Sequence, residues 1–136
     1  MATTEYFLAN HSGNCERQDA VDWSVLDAFS AIQKPGTQDL RVRYVTLFLK
    51  SSLPLMESIK DAIIASDRQL LTISAHTLKT TCLMIGAMRL AATCARLEQV
   101  GRDNSLQDAG DLSMLAVEQY AAVTAVFREA LLRSRK

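Results

Sequence analysis

The spacing of the apolar residues constrains this chain more than any other feature of its sequence. In four long segments, apolar residues recur every three or four positions, which places them on one side of an α-helix. No segment alternates strictly between apolar and polar residues, as a half-buried strand would. Only 5 Gly and 2 Pro interrupt the 136 residues, so long helices can form. The pattern therefore predicts an all-α fold.

Short connections between these segments predict how the helices pack. A short first helix is expected to begin at Asp22 or Ser24 and to end near Gln33. The four long helices are expected at about residues 39–65, 67–84, from Gly86 to 100, and 106–133, with Gly110 as an alternative start of the last one. Because the apolar stripe continues across Pro54, we expect one kinked second helix there and not two helices. These segments predict an antiparallel up-and-down four-helix bundle with a short extra N-terminal helix covering one end.

The sequence divides into two parts at about residue 20. Residues 1–20 are polar and irregular, and we interpret them as a flexible leader or linker. His11 lies in this leader, and we assign it no role. Residues 21–136 form the predicted bundle, which is large enough for one domain with a single core.

Charge and cysteine content exclude several classes of protein. Fifteen basic and fifteen acidic residues give zero net charge, and no basic cluster appears, so we expect no nucleic-acid partner. No apolar run approaches the ~20 residues that span a bilayer, and we expect neither direct membrane contact nor a secretory leader. Cys15, Cys82 and Cys94 show no CxxC spacing, which favours reduced thiols of a cytoplasmic protein over disulfides or a zinc site.

The third long helix carries His76 on its outward side. On a helical wheel, Leu71, Ala75 and Leu78 gather on the opposite, buried side. Lys79 lies about 60° from His76 around the axis and Thr80 about 40°. An outward histidine on a bundle helix is by itself most often an ordinary solvated residue.

The residues around His76 indicate a functional role for it. The string Ala75-His76-x-Leu78-Lys79, followed by Gly86-Ala87, resembles the motif of histidine-containing phosphotransfer domains of bacterial and plant phosphorelays. Further matches lie on both sides of this string: Phe48-Leu49, Pro54, Ala65-Ser66-Asp67, Leu90-Ala91, Cys94, Leu97-Glu98 and Gly101. The resemblance covers about residues 21–132. It departs at Thr80, where many members of that family have glycine.

The resemblance implies both a fold and a function. The fold is the four-helix bundle that the periodicity predicts. The implied function is a phosphorelay intermediate: His76 accepts a phosphoryl group on Nε2 from a receiver-domain aspartate and passes it to, or back from, another response-regulator aspartate. The implied partners are response-regulator receiver domains, with a hybrid sensor kinase as a further partner. Mg²⁺ is then supplied by the receiver, and we expect no cofactor or metal site in this chain. The chain would be a free-standing cytoplasmic protein or the cytoplasmic C-terminal domain of a membrane-bound sensor kinase.

Several neighbours of His76 are candidates for supporting roles. Lys79 can partly neutralise a phosphoryl group, although an ordinary solvated lysine is the alternative. The Thr80 hydroxyl can contact phosphate or bond back to the carbonyl of His76, and the sequence does not decide between the two. We expect a docking surface for the receiver at Thr72, Ile73, Leu83 and Met84.

Two other classes of function compete with this hypothesis. The chain lacks a glycine-rich nucleotide loop, so we expect no ATP binding and no autonomous kinase activity. A hydrolase with His76 as general base would need an orienting carboxylate and a pocket, and neither is evident from the sequence. The remaining alternative is a helical docking module that binds a receiver domain or another signalling protein without carrying phosphate.

Overall fold

The computed structural model describes residues 20–28, 32, 36 and 39–134. In order, its α-helices in these residues are α1 (Trp23–Asp27), α2 (Leu40–Ile64), α3 (Arg68–Ile85), α4 (Met88–Asp103) and α5 (Ala109–Ser134). A 3-10 turn, Leu106–Asp108, precedes α5, and no strand occurs among the described residues. The predicted leader, with His11 and Cys15, lies outside the described residues except for Ala20, which is buried.

Aspartate side chains begin the first three helices. Asp22, Asp39 and Asp67 accept hydrogen bonds from backbone N–H groups two or three residues later, at 3.0, 2.9 and 3.0 Å. Such caps satisfy amides that have no partner inside the helix. The predicted starts at these aspartates are therefore confirmed.

The helix ends agree less closely with the sequence predictions. The first helix is described over Trp23–Asp27, and its predicted end near Gln33 lies outside the described residues. The fourth helix does not end at Val100: it continues through Gly101 to Asp103, and Asn104 ends it in the left-handed conformation. Arg68 explains the extra turn, because its guanidinium donates to the carbonyls of Gly101 and Arg102, which lack partners inside the helix.

The long helices form a closed ring. Each packs against its neighbour in the chain, and α2 also packs against α5. The apolar sides of all four meet in one core, where Phe48 and Phe127 contact edge to face with ring centroids 5.6 Å apart. Helix α2 runs unbroken through Pro54, which confirms a single helix there. The four-helix bundle predicted from the periodicity is therefore confirmed.

Helix α1 covers one end of this bundle. Trp23 packs edge to face on Phe127, and the backbone N–H of Asp22 donates to the carbonyl of Gly86 at 2.7 Å. Gly86 ends α3 with φ of 89°, a conformation that disfavours residues with a side chain. None of the helices in the described part of the chain is both long and apolar enough to cross a membrane.

Candidate functional site

Helix α3 presents His76 at the surface. Its inward side buries Leu71, Ala75 and Leu78 completely, and the His76 side chain on the other side is 57% exposed. The amphipathic pattern alone fixes this orientation, since rotating the helix would expose the buried leucines. The predicted outward position of His76 is what the structure shows.

A buried carboxylate lies against the histidine ring. Glu98 on α4 has a side chain only 7% exposed, and its Oε2 lies 3.1 Å from His76 Nδ1. An ionised carboxylate can only accept hydrogen bonds, so Nδ1 is the donor. In the neutral ring the lone pair is then on Nε2. The contact therefore selects the tautomer in which Nε2 is the nucleophilic nitrogen.

Two cations neutralise the Glu98 carboxylate. Lys79 Nζ donates to Oε1 at 2.8 Å, and Arg102 Nη2 donates to Oε2 at 2.6 Å. The hydrogen bond from Lys79, aided by the one from His76 and by the Lys79 charge, holds the pKa of Glu98 below its usual 4.5 even though burial acts in the opposite direction. Glu98 is therefore ionised at neutral pH, as its contact with Nδ1 requires.

Sequence reasoning missed both Glu98 and Arg102 as parts of this site. An orienting carboxylate for His76, which is not evident from the sequence, is present in Glu98. A signal was present: Glu98 lies on the same side of α4 as Cys94 and Leu97, and a charged residue on a buried stripe needs partners. The helical wheel of α4 does not say which residues of α3 those partners are.

The threonines of α3 use their hydroxyls within the helix. Thr80 Oγ1 donates to the carbonyl of His76 at 3.1 Å, which is the second of the two predicted alternatives. Thr72 Oγ1 donates to the carbonyl of Arg68 and also lies against Gly101 of α4. Thr72, one of the predicted docking residues, is therefore half-buried at the contact between the two helices.

The other predicted docking residues are exposed. Ile73, Leu83 and Met84 are each about half exposed or more. On the wheel, Ile73 and Met84 lie about 60° and 80° from His76 on the side away from Lys79, and Leu83 lies nearly in line with His76. The surface around the ring thus has an apolar side, formed by Ile73 and Met84, and a charged side toward α4.

Comparison with known proteins agrees with this geometry. The model of the Hpt domain family matches residues 43–134. The crystal structure of histidine-containing phosphotransfer protein B (HptB) from Pseudomonas aeruginosa PAO1 is similar to this chain, with a TM-score of 0.77 and 27% sequence identity. The alignment covers 84% of this chain and 96% of that one. The search of curated proteins returned no match. The chain therefore belongs to the Hpt family of histidine phosphotransfer domains, whose members act in two-component phosphorelays and interact there with receiver domains.

Proposed function

We propose that His76 is the phosphoryl acceptor of this domain. It takes the group from the phosphoaspartate of one receiver domain and passes it to, or back from, the aspartate of another response regulator. The observation that carries the proposal is the 3.1 Å contact between His76 Nδ1 and the Glu98 carboxylate. In the neutral ring, this contact supports the tautomer with the proton on Nδ1 and the lone pair on Nε2, in a side chain open to a second protein.

The chemistry of the step follows from that tautomer. The Nε2 lone pair attacks phosphorus and forms the N–P bond, while the bond to the aspartyl oxygen breaks and its electron pair leaves with the carboxylate. The ring becomes a phosphoimidazolium. Its proton stays on Nδ1, and this N–H continues to donate a hydrogen bond to Glu98. In the reverse direction, the N–P bond breaks and its electron pair returns to Nε2, which gives the neutral imidazole again. Glu98 therefore stabilises the cationic ring without taking a proton from it.

Charge stabilisation comes from both proteins. Lys79, one turn after His76, is close enough to the ring to share the same carboxylate, and its ammonium can turn toward phosphate oxygens. Positioning and charge neutralisation are the main requirements of phosphoryl transfer. We propose that Mg²⁺ at the receiver supplies the remaining positive charge. This chain then needs no cofactor or ATP of its own and acts in the cytoplasm, free-standing or within a hybrid sensor kinase.

The apolar side of the surface is the proposed contact for the receiver. Ile73, Leu83 and Met84 are exposed around His76, and they lie within about two turns of it on the same helix. An apolar contact here would bring the aspartate of the receiver over the ring. Thr72 would lie at the edge of this contact, since it is half-buried against α4.

Transfer from phosphorylated receiver domains tests the proposal. Wild-type protein should acquire acid-labile label, and His76→Gln should acquire none, because glutamine has no nucleophilic ring nitrogen. Lys79→Ala should slow labelling by about two- to fivefold, because the loss of an ion pair at the surface usually costs up to about 1 kcal/mol. Both variants should remain folded by circular dichroism.

Two results would contradict the proposal. Acid-labile label on His76→Gln would place the acceptor elsewhere in the chain. Binding of phosphorylated receivers by the wild type without any label would indicate a docking module in place of a relay.

A further inference from the structure

Glu98 has two cationic partners, and they are not equivalent. Lys79 Nζ donates to Oε1, whereas Arg102 Nη2 donates to Oε2. Oε2 is also the oxygen that accepts the hydrogen bond from His76 Nδ1. Arg102 therefore holds the oxygen that contacts the reacting ring, and Lys79 holds the other one.

The last turn of α4 places Arg102 beside Glu98. Arg102 follows Glu98 by four residues, the favourable order for an ion pair along a helix. Arg68 of α3 donates to the carbonyl of Arg102 at 2.9 Å, which ties this turn of α4 to the start of α3. The Arg102 guanidinium is a planar, rigid fork of donors. Lys79 has instead a flexible stem and a compact ammonium that can change partners.

We propose that Arg102 is a positioning residue that keeps Glu98 ionised and on Nδ1 while His76 carries the phosphoryl group and Lys79 turns to the phosphate. The inference rests on the proposed function, since it requires a phosphohistidine at position 76. A phosphoryl group adds roughly 1.5 to 2 negative charges beside Glu98 and attracts the Lys79 ammonium. Glu98 is then left with the Nδ1–H of the phosphoimidazolium and with Arg102, and without Arg102 this 7% exposed carboxylate would take the Nδ1 proton from the ring more readily. Arg102 prevents this.

The ionised state of Glu98 matters for giving the phosphoryl group away. With Nδ1 protonated and held by Glu98, the leaving group is neutral imidazole when the N–P bond breaks. If Glu98 takes the Nδ1 proton from the ring, the leaving group is an imidazolate anion, which leaves more slowly. The charged groups that contact Glu98 among the described residues are His76 and Lys79 from α3 and Arg102 from α4. Once Lys79 turns away, Arg102 is the remaining cation beside Glu98 other than the phosphohistidine ring itself.

The Glu98 carboxyl carbon, followed by NMR, reports its ionisation directly. Wild-type protein and Arg102→Gln are each observed unmodified and after chemical phosphorylation with phosphoramidate, from about pH 8 down to about pH 5.5. We expect Glu98 to stay ionised in both forms of the wild type and in unmodified Arg102→Gln, where Lys79 still pairs with it. Phosphorylated Arg102→Gln alone should shift toward the protonated carboxyl as the pH falls. Phosphoryl transfer from this variant to the receiver domain that phosphorylates the wild type should be slower by about two- to fivefold.

Two further variants serve as controls. Arg102→Lys keeps a cation at this position but loses the rigid guanidinium fork, and it should restore the wild-type titration and donation rate only in part. Arg96→Gln removes the same charge from an exposed position about 200° around α4 from Glu98 and should change neither. The inference is overturned if Glu98 in phosphorylated Arg102→Gln stays ionised with an unchanged donation rate, or if Arg96→Gln has the same effect. A wild type that forms no phosphohistidine with receiver or phosphoramidate overturns the proposed function as well, and the missing phosphohistidine signal distinguishes that result.

Discussion

At the scale of single residues, the site depends on one carboxylate that lies on the buried and mostly apolar side of α4. Glu98 lies on the buried stripe of α4 and is compensated by three donors: His76, Lys79 and Arg102. Burial of a charge is unfavourable unless it is paired and hydrogen-bonded, and here both oxygens are used. Glu98 therefore links the stability of the α3–α4 contact to the orientation of the histidine ring.

Glu98→Gln should make this link measurable as pH-dependent stability. Because the pKa of Glu98 in the folded protein lies below its usual 4.5, the unfolded chain takes up the proton first as the pH falls. The stabilisation by Glu98 is thus complete above about pH 4.5 and is lost below it as the pH approaches the folded-state pKa. We expect the variant to be less stable by about 1–2 kcal/mol at pH 7, with the difference from wild type shrinking in acid. Urea unfolding at several pH values measures this.

Glu57→Gln is the matched control for that experiment. Glu57 is exposed on α2, so its substitution should change stability by no more than about 0.5 kcal/mol at neutral pH. An equal loss in both variants, or a difference for Glu98→Gln that grows below pH 4.5, would contradict the role given to the carboxylate.

Thr80 is the residue where the chain departs from the usual motif, and its hydroxyl is engaged by the carbonyl of His76. Thr80→Gly should therefore retain phosphoryl transfer and lose about 0.3–1 kcal/mol of stability through lower helix propensity. Thermal unfolding and transfer rates from a phosphorylated receiver measure the two effects. If Thr80→Gly lost transfer and Thr80→Ser retained it, the hydroxyl would have to act on the phosphate.

At the scale of elements, the connection between α3 and α4 positions three parts of the molecule at once. Gly86 ends α3, accepts from the backbone N–H of Asp22, and allows α4 to begin at Met88. A Cβ at this position would collide with the carbonyl oxygen of Asp22. The glycine is therefore required both by its positive φ and by the close approach of the segment that leads into α1.

Gly86→Ala should destabilise the fold by about 2–4 kcal/mol, because the left-handed conformation and the collision with Asp22 act together. Gly110→Ala is the control: Gly110 lies in the first turn of α5, and a Cβ there meets nothing within 4 Å. That variant should be unchanged or more stable by up to about 1 kcal/mol. Chemical denaturation measures the free energy of unfolding of both variants. Equal losses of stability would show that the contact between position 86 and the Asp22 carbonyl is not tight.

The difference between what the sequence predicted and what it missed has a physical basis at this scale. The apolar stripe of α3 and the caps Asp39 and Asp67 are local patterns, so helix starts and the outward position of His76 could be predicted. The end of α4 depends on Arg68, which lies more than 30 residues away in the chain. The partners of Glu98 likewise depend on how α3 and α4 are aligned. No pattern within one helix contains that alignment.

At the scale of the whole molecule, stability and chemistry lie on opposite sides of the same two helices. The inward sides of α3 and α4 meet in the core, where Cys82 and Cys94 are both fully buried. A hydrogen bond with Cys94, together with burial, raises the pKa of the Cys82 thiol far above its usual value. Thiolate forms only when such a thiol reaches water, so the pair can report whether the bundle opens as a unit.

Thiol labelling tests the packing of α3 against α4. In a Cys15→Ser variant, which leaves only Cys82 and Cys94, an aromatic disulfide reagent should react with both thiols in denaturant and at least about a thousandfold more slowly in native buffer. That factor follows from a folding free energy of at least about 5 kcal/mol, because labelling then requires opening of the bundle. The two thiols should react at similar rates, since one lies on each side of the α3–α4 contact. Fast reaction of one thiol alone would mean that its helix is rotated relative to this arrangement, and such a rotation would also separate His76 from Glu98.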